Sequence, residues 1–527
     1  MSSMSIQTPS SAERFALDHQ RAYERRWWVM VILSASVFLV VVDNLIVNVA
    51  LPTLQRELDA SVTSLQWIVD AYALVFACLL LAGGGIGDRW GRKRSLQVGL
   101  ILFAVFSGLA AFAGSAQSLI IWRGAMGIGA ALVFPATLAI ITNLFIDPVE
   151  RAKAIGLWSA VSGMAVAFGP VAGGFLLEHF WWGSVFLVNI PIVVIALLIG
   201  QRLIPESREP HRGRFDVPGL LLSVIAVGAL VYTVIESPHW GWGSIESIAG
   251  FVIAAVALGV FIRFESRRSD PLLDVTFFRN ARFSAATGSI GIAFMSLFGF
   301  TFLVTQYFQF VRGYGPLESG LHTIPFAVGA GVTAPLAARA ALRWGTTRVV
   351  AMGLLNMSIG FLIASRFEAD TAYWGPVVIA MLIMANGLSL VTSPSTEAVM
   401  GSVPKERAGV ASAVNDISRE LGGTLGVAIT GSIFISLFSP KIVETFERIP
   451  GLVASLAPGV FDQAQDSVGA AYGIAQSSPA AMQSEVVDAV SESFMQGFGM
   501  ACLVVSIVAF VGSIFALRFL PARARAI

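Results

Sequence analysis

Charge is scarce in this chain of 527 residues: Asp, Glu, Lys and Arg together make up 13% of it, against roughly 25% in a soluble domain. The balance is nearly even, with 34 basic and 33 acidic residues and a net charge of +1, so no global field recruits nucleic acid or an acidic partner. Cysteine is almost absent. Cys78 and Cys502 both fall in apolar runs, which excludes a disulfide framework and a thiolate metal site. The five histidines are scattered, and no metal or other cofactor is expected. No Gly-x-x-x-x-Gly-Lys-Ser/Thr phosphate loop occurs, which removes an ATP motor, and neither His-Glu-x-x-His nor Gly-x-Ser-x-Gly is present to suggest an enzyme. Lysine appears four times against 30 arginines, a bias of GC-rich bacterial coding.

What the chain has instead is apolar length. Hydrophobic residues make up 56% and mean hydropathy is +0.76, which places the chain in a bilayer. A helix needs about 20 apolar residues to cross a ~30 Å hydrocarbon core. Runs of that kind lie near 27–51, 64–86, 95–113, 117–143, 153–177, 184–203, 217–235, 246–264, 282–310, 319–338, 347–365, 374–396, 408–438 and 494–519, predicting fourteen transmembrane helices. The 26 residues before the first run are too charged for a signal-peptide core, so the first span is expected to be its own insertion signal. Of the Lys and Arg outside the spans, 27 fall on the side of the N-terminus and only five on the other. Cytoplasmic loops hold the excess, so both termini are expected in the cytoplasm.

Two short matches recur about 255 residues apart. Asp88-Arg89-Trp90-Gly91-Arg92-Lys93-Arg94 parallels Leu342-Arg343-Trp344-Gly345-Thr346-Thr347-Arg348, and Pro148-Val149-Glu150-Arg151-Ala152 parallels Pro404-Lys405-Glu406-Arg407-Ala408. That offset spans eight helices, so the chain reads as six spans, an inserted pair and six more. The expected divisions are a cytoplasmic segment 1–26, a six-helix half 27–203, a linker with two inserted helices 204–264, a cytoplasmic loop 265–281, a second six-helix half 282–519, and a cytoplasmic tail 520–527. Residues 439–493 form a long external loop with two basic residues against seven acids. Pro440, Pro450, Pro458 and Pro479 are expected to break any long helix there, leaving a loosely ordered cap; an acidic funnel for cations is the alternative.

Charges inside spans are expensive, at roughly 2.5 to 3.5 kcal/mol each near a helix centre, so they should face a cavity or a partner. At ~1.5 Å per residue, Asp43, Asp70 and Arg123 share one depth in the outer third. Asp43 is the expected proton carrier, Asp70 a second acid near it or near the substrate, and Arg123 the group that biases their protonation; a static ion pair holding two helices is the alternative. Asp416 and Glu420 are four residues apart on one helix face, with Arg419 between them, to bind a cationic group or a second proton, or merely to pair with Arg419. His322 is a further candidate by its residue type, although such a histidine is more often simply satisfied at a helix interface.

The loop Gly84-Gly85-Ile86-Gly87-Asp88-Arg89-Trp90-Gly91-Arg92-Lys93 resembles the conserved loop motif of the major facilitator superfamily. Asp43-Asn44-Leu45-Ile46-Val47-Asn48-Val49-Ala50-Leu51-Pro52 and Trp67-Ile68-Val69-Asp70-Ala71-Tyr72 resemble signatures of its fourteen-helix drug:proton antiporter family, and Gly169-Pro170-Val171-Ala172-Gly173-Gly174 resembles its antiporter motif. In the second half the match is Arg419-Glu420-Leu421-Gly422-Gly423-Thr424-Leu425-Gly426. The chain departs at Met126, where relatives usually have Gln, at Trp182-Gly183-Ser184 ahead of Phe186-x-x-Asn189-x-Pro191, and at Glu420, where many are uncharged.

The resemblance implies an all-α integral membrane protein of the major facilitator fold in the bacterial cytoplasmic membrane. It implies a gate at Gly84, Asp88, Arg89, Gly91, Arg92 and Lys93, and an antiport hinge at Gly169, Pro170, Gly173 and Gly174. The activity implied is proton-driven export of amphipathic or cationic drug-like compounds by alternating access, or, as the main rival, export of one endogenous metabolite, antibiotic or lipid. A sensor or enzyme is a distant third. Expected partners are the small-molecule substrate, protons and the lipid bilayer, with no obligate protein partner.

Overall fold

The computed structural model describes residues 23–208, 216–268, 271, 273–403, 408–457 and 459–521. The expected N-terminal segment and C-terminal tail, most of the linker at 209–215, and the repeat copy at 404–407 fall wholly or largely outside these residues. Among the described residues the chain is helical, with no strand. The long helices are α1 Arg26–Glu57, α2 Val62–Trp90, α3 Arg92–Ala111, α4 Ala116–Leu144, α5 Pro148–His179, α6 Asn189–Leu203, α7 Val217–Trp240, α8 Ile245–Glu265, α9 Ala281–Gln306, α10 Ile324–Trp344, α11 Thr346–Ala364, α12 Val378–Met400, α13 Ala408–Arg448 and α14 Ala480–Phe519. Among the described residues thirteen segments are long and apolar enough to cross a membrane, and the run expected at 153–177 lies on the further 32-residue helix α5. Helices are the natural solution for such runs, because each satisfies its own backbone where no water is available.

Polar side chains mark where helices begin. Ser61 accepts from the Ser64 N–H at the start of α2, Ser115 and Ser118 cap α4 reciprocally, and Asp216 and Ser244 cap α7 and α8. Between α2 and α3 the chain turns in one residue, Gly91, at φ +122°; between α10 and α11 it does so at Gly345, φ +85°. Both glycines donate to the carbonyl four residues back, so the two copies of the sequence match share one turn geometry that a side chain would strain.

The packing repeats eight helices on. In the first set, α2 packs on α4, α3 on α4 and α6, and α1 on α5; in the second, α10 packs on α12, α11 on α12 and α14, and α9 on α13. Glycines permit each close approach: a Cβ on Gly99 would stand 2.8 Å from the Gly129 carbonyl oxygen, and one on Gly353 the same distance from that of Gly387. The helices α7 and α8 pair with each other, and α7 lies across α2 and α13, held by Trp67 Nε1 to Glu236 Oε1 at 3.1 Å and Ser432 Oγ to the Val234 carbonyl at 2.7 Å.

The segment 439–493, expected to be a loosely ordered external loop, is largely helical among its described residues. α13 continues through Pro440 to Arg448, and the chain returns through Leu452–Ser455, Val460–Asp466 and Val468–Ser477 before α14 begins at Ala480. Pro440 is exposed, and apolar packing carries the helix past it: Phe434 stacks on Phe438 at 5.3 Å and meets Phe494 of α14 at 5.0 Å. Thr445 of α13 bonds Ser493 at 3.2 Å, and Tyr472 of the returning helix Val468–Ser477 bonds Ser491 at 2.8 Å, fastening both helices to α14.

Candidate functional site

Three helices bring the first-half charges together. Asp43 on α1 and Arg123 on α4 are fully buried, with Arg123 Nη1 2.5 Å from Asp43 Oδ2. Asn189 at the start of α6 donates to Asp43 Oδ1 at 2.7 Å and to Ser107 Oγ of α3 at 3.0 Å, while Ser107 donates to the Phe186 carbonyl. Arg123 also donates from Nε to the Ile68 carbonyl of α2 and lies 4.3 Å from the Tyr72 ring centroid. A buried ion pair tolerates its setting best when further contacts satisfy both ions, and here the Asn189 amide, the Ile68 carbonyl and the Tyr72 ring do so in part, while Arg123 Nη2 has no hydrogen-bond partner. Met126, fully buried, leaves those contacts to others.

Asp70, expected near Asp43 or near the substrate, makes no hydrogen bond to this network. It is fully buried on α2, neither carboxyl oxygen has a hydrogen-bond partner, and it does not line the cavity described next.

In the second half, Asp416, Arg419 and Glu420 line a cavity between the two helix sets, facing Asn44, Tyr72 and Phe76 of the first. Arg419 Nη1 is 3.9 Å from Asp416 Oδ1, a loose pairing, and its guanidinium lies 4.5 Å from the Phe294 ring. Asn415 donates to Asp416 at 3.2 Å. The room is about 80 Å³, enough for very few waters and far below the ~300 Å³ of a drug-sized site. A larger cavity, about 930 Å³, lies under the external helices, away from these buried charges. The central cavity is the better candidate because charge, amide and aromatic groups from both helix sets converge there.

The halves are joined at the end opposite the basic loops. Gln66 of α2 donates to the Ala428 carbonyl of α13 at 3.0 Å, and Gln309 donates to the Val49 carbonyl of α1 at 2.9 Å. The glycines of α5 make the other seam. Gly169 and Gly173 face α1, with hypothetical Cβ positions 2.8 Å from Leu45 Cβ and 3.2 Å from the Ile46 carbonyl oxygen, whereas Gly174 faces the short helix Pro316–Leu321 with its Cβ position 2.5 Å from the Pro316 oxygen. Gly320 presses back on the Pro170 carbonyl. Gly422 and Gly426 serve α13 against α9 in the same manner.

At the basic end, Arg92 pairs with Asp88 at 2.9 Å. The Arg92 N–H donates to the Ser207 carbonyl, the Lys93 N–H to Glu206 Oε1, and the Lys93 ammonium to the Gln201 carbonyl. A Cβ on Gly91 would lie 2.6 Å from the Glu206 carboxylate, so this turn admits the latch only as glycine. A Cβ on Gly84 would meet Pro135 of α4 at ordinary contact distance, and Arg89 is half-buried at the end of α2. His322 lies outside both cavities, at the end of helix Pro316–Leu321, its Nδ1 2.7 Å from the Glu318 carbonyl and its ring 4.2 Å from that of Tyr373.

Sequence reasoning quoted Asn189 within a motif and gave it no role, although a buried amide beside a buried acid was the available signal. It also passed over Tyr72, Phe294 and Ser107, whose parts depend on which helices are neighbours.

Two helix sets joined at one end, with charged groups gathered around a cavity between them, define a membrane transporter rather than an enzyme. The Major Facilitator Superfamily model matches residues 33–427, and the chain belongs to that family. It is 34% identical over 500 residues to the multidrug efflux pump LfrA of Mycolicibacterium smegmatis, covering 94% of this chain and 97% of that protein. Against the methyl viologen resistance protein SmvA of Salmonella typhimurium it is 34% identical over 478 residues, covering 90% and 94%. A bacterial homologue of the lysosomal transporter Spinster, solved inward-facing and unoccupied, superposes with a TM-score of 0.65 at 18% identity over 95% of this chain and 98% of that one, a likeness of fold.

Proposed function

We propose that this protein exports amphipathic organic cations across the bacterial cytoplasmic membrane in exchange for protons, with both termini in the cytoplasm and fourteen spans. The observation that carries the reading is the central cavity: Asp416 and Glu420 supply negative charge, while Tyr72, Phe76, Phe134, Phe294 and Phe298 supply aromatic surface. That combination suits a cation with an apolar body. The efflux and resistance functions named for relatives covering nine-tenths of the chain support it.

The mechanism follows from which groups are satisfied. Asp43 is held by Arg123 and Asn189, so it takes a proton only when that network loosens. Asp70 has no partner for either oxygen, and a lone carboxylate in that setting is far costlier than a neutral acid. Asp70 therefore holds its proton in this conformation and releases it when a rearrangement brings water. The seams at Gln66, Gln309 and Gly174 keep the outer side shut, so access alternates by opening them while the two helix sets close on each other at the basic end. Exchanging one proton for one monovalent cation moves no net charge, so the pH difference drives it at about 1.4 kcal/mol per unit, a tenfold gradient, and the potential, worth about 2.3 kcal/mol per charge at ~100 mV, adds to it only when a further proton enters.

The test is proton flux in proteoliposomes on adding ethidium, methyl viologen or a neutral amphiphile. Cation-driven flux that disappears in Asp70→Asn supports the reading, and flux with no compound at all, or none with any, overturns it.

A further inference from the structure

The larger cavity has no part in the central mechanism. It lies at the outer end, between the last turn of α1, the turn joining α9 to helix Pro316–Leu321, and the external helices Val460–Asp466 and Val468–Ser477, and it encloses about 930 Å³. That is the volume of a drug-sized site. Its charge is one-sided: Asp59, Asp462 and Asp466 line it, with Arg56 as the only cation among its lining residues.

Its wall is aromatic where a flat cation would lie. Phe310 and Tyr472 are parallel within 8° at a centroid distance of 6.0 Å, and the Arg56 guanidinium already stands 6.0 Å from the Phe310 ring. A ring face that attracts one cation attracts another. Polar groups complete it. Gln55 is 2% exposed and lines the cavity, yet neither its amide nitrogen nor its oxygen has a protein partner, and the Gln309 side-chain oxygen is likewise unpaired. Buried amides in that condition are costly unless a ligand meets them.

The position supplies the sequence of events. Gln55 and the central-cavity residue Asn44 are both on α1, about 16 Å apart at ~1.5 Å per residue, and the Gln309 to Val49 bond of the outer seam lies between them. A cation leaving the centre through that seam enters this chamber next.

We infer that this chamber, roofed by the external helices, is a second binding site for aromatic organic cations on their way out. The inference rests on the exporter reading and deepens it. The external helices thereby hold a released cation at an acidic, aromatic station before it reaches bulk water.

Equilibrium dialysis of ethidium against the full-length protein in lipid nanodiscs, corrected with empty nanodiscs, tests it. Two ethidium ions are expected per native chain. Asp416→Asn with Glu420→Gln should remove one, and Asp462→Asn with Asp466→Asn, or Tyr472→Ala, should weaken the other at least tenfold while Tyr472→Phe restores it. A misfolded variant would lose both sites, which separates it from loss of the outer one. A single native site that the central substitutions abolish, or outer substitutions that leave the isotherm unchanged, overturns the second site alone if ethidium still drives proton flux. No binding and no flux removes both the second site and the exporter reading for this cation.

Discussion

Asp43 and Asn189 stand 146 residues apart in the chain and share a 2.7 Å hydrogen bond at the heart of the first helix set. With Arg123 on its other oxygen, Asp43 is clasped from both sides, and the clasp joins α1, α4 and α6. The acid is therefore part of the architecture as well as a candidate for proton traffic.

Removing one partner of that pair should be worse than removing both. Arg123→Ala leaves a buried carboxylate uncompensated, an effect of about 3 to 5 kcal/mol when a buried pair is broken. Its apparent melting temperature in detergent should fall well below that of the double variant Asp43→Asn with Arg123→Gln. Both should be inactive, and equal stability of the two would show that the pair is not mutually dependent.

Asp70→Asn should behave in the opposite way. With no hydrogen bond to lose, the near-isosteric amide should keep the melting temperature within the range of a neutral substitution, about 0.5 kcal/mol. Substrate-driven proton flux should fall to background. Normal flux in a stable Asp70→Asn protein would return the carrier role to Asp43.

Charge selectivity should follow the second-half acids. Asp416→Asn and Glu420→Gln should each raise the half-saturating concentration for ethidium roughly tenfold, about 1.4 kcal/mol, while leaving a neutral amphiphile within twofold. An equal loss for both compounds would indicate altered cavity shape instead.

Gly174→Leu should wedge the outer seam, since even its Cβ would meet the Pro316 carbonyl oxygen at 2.5 Å. Export should drop at least tenfold, and a cysteine introduced at Gln66 should become open to a membrane-impermeant thiol reagent. The same substitution at Gly228, where a Cβ meets nothing within 4 Å, should be silent and serves as the control.

At the basic end, Gly91→Ala should act through backbone strain and through Glu206. The residue sits at φ +122°, and its Cβ would press on the Glu206 carboxylate. Glu206→Ala in the same chain should recover part of the lost transport, a rescue that strain alone would not allow.

Much of the fold was legible because a bilayer makes composition and period decisive. The apolar runs place the long helices, since a helix is the cheapest way to carry them through hydrocarbon, and Gly91 and Gly345 mark equivalent turns because only glycine takes that backbone readily. The external region was misread at Pro440. Pro440 was weighed as a breaker, but the packing of Phe434, Phe438 and Phe494 that overrides it exists only once α13 and α14 are side by side, whereas α13 does end before Pro450.

The charged residues divide in the same way. That Asp43, Asp70, Arg123, Asp416, Arg419 and Glu420 must face partners or a cavity is a property of the chain, because an unpaired charge in lipid is too costly to leave exposed. Which of them meet is a property of helix neighbours and rotation. Depth along a span follows from counting residues at ~1.5 Å each, but azimuth follows from the faces the glycines allow to touch. Tertiary packing alone therefore gave Asp43 its two partners, left Asp70 with none, and set Asp416 and Glu420 opposite Tyr72.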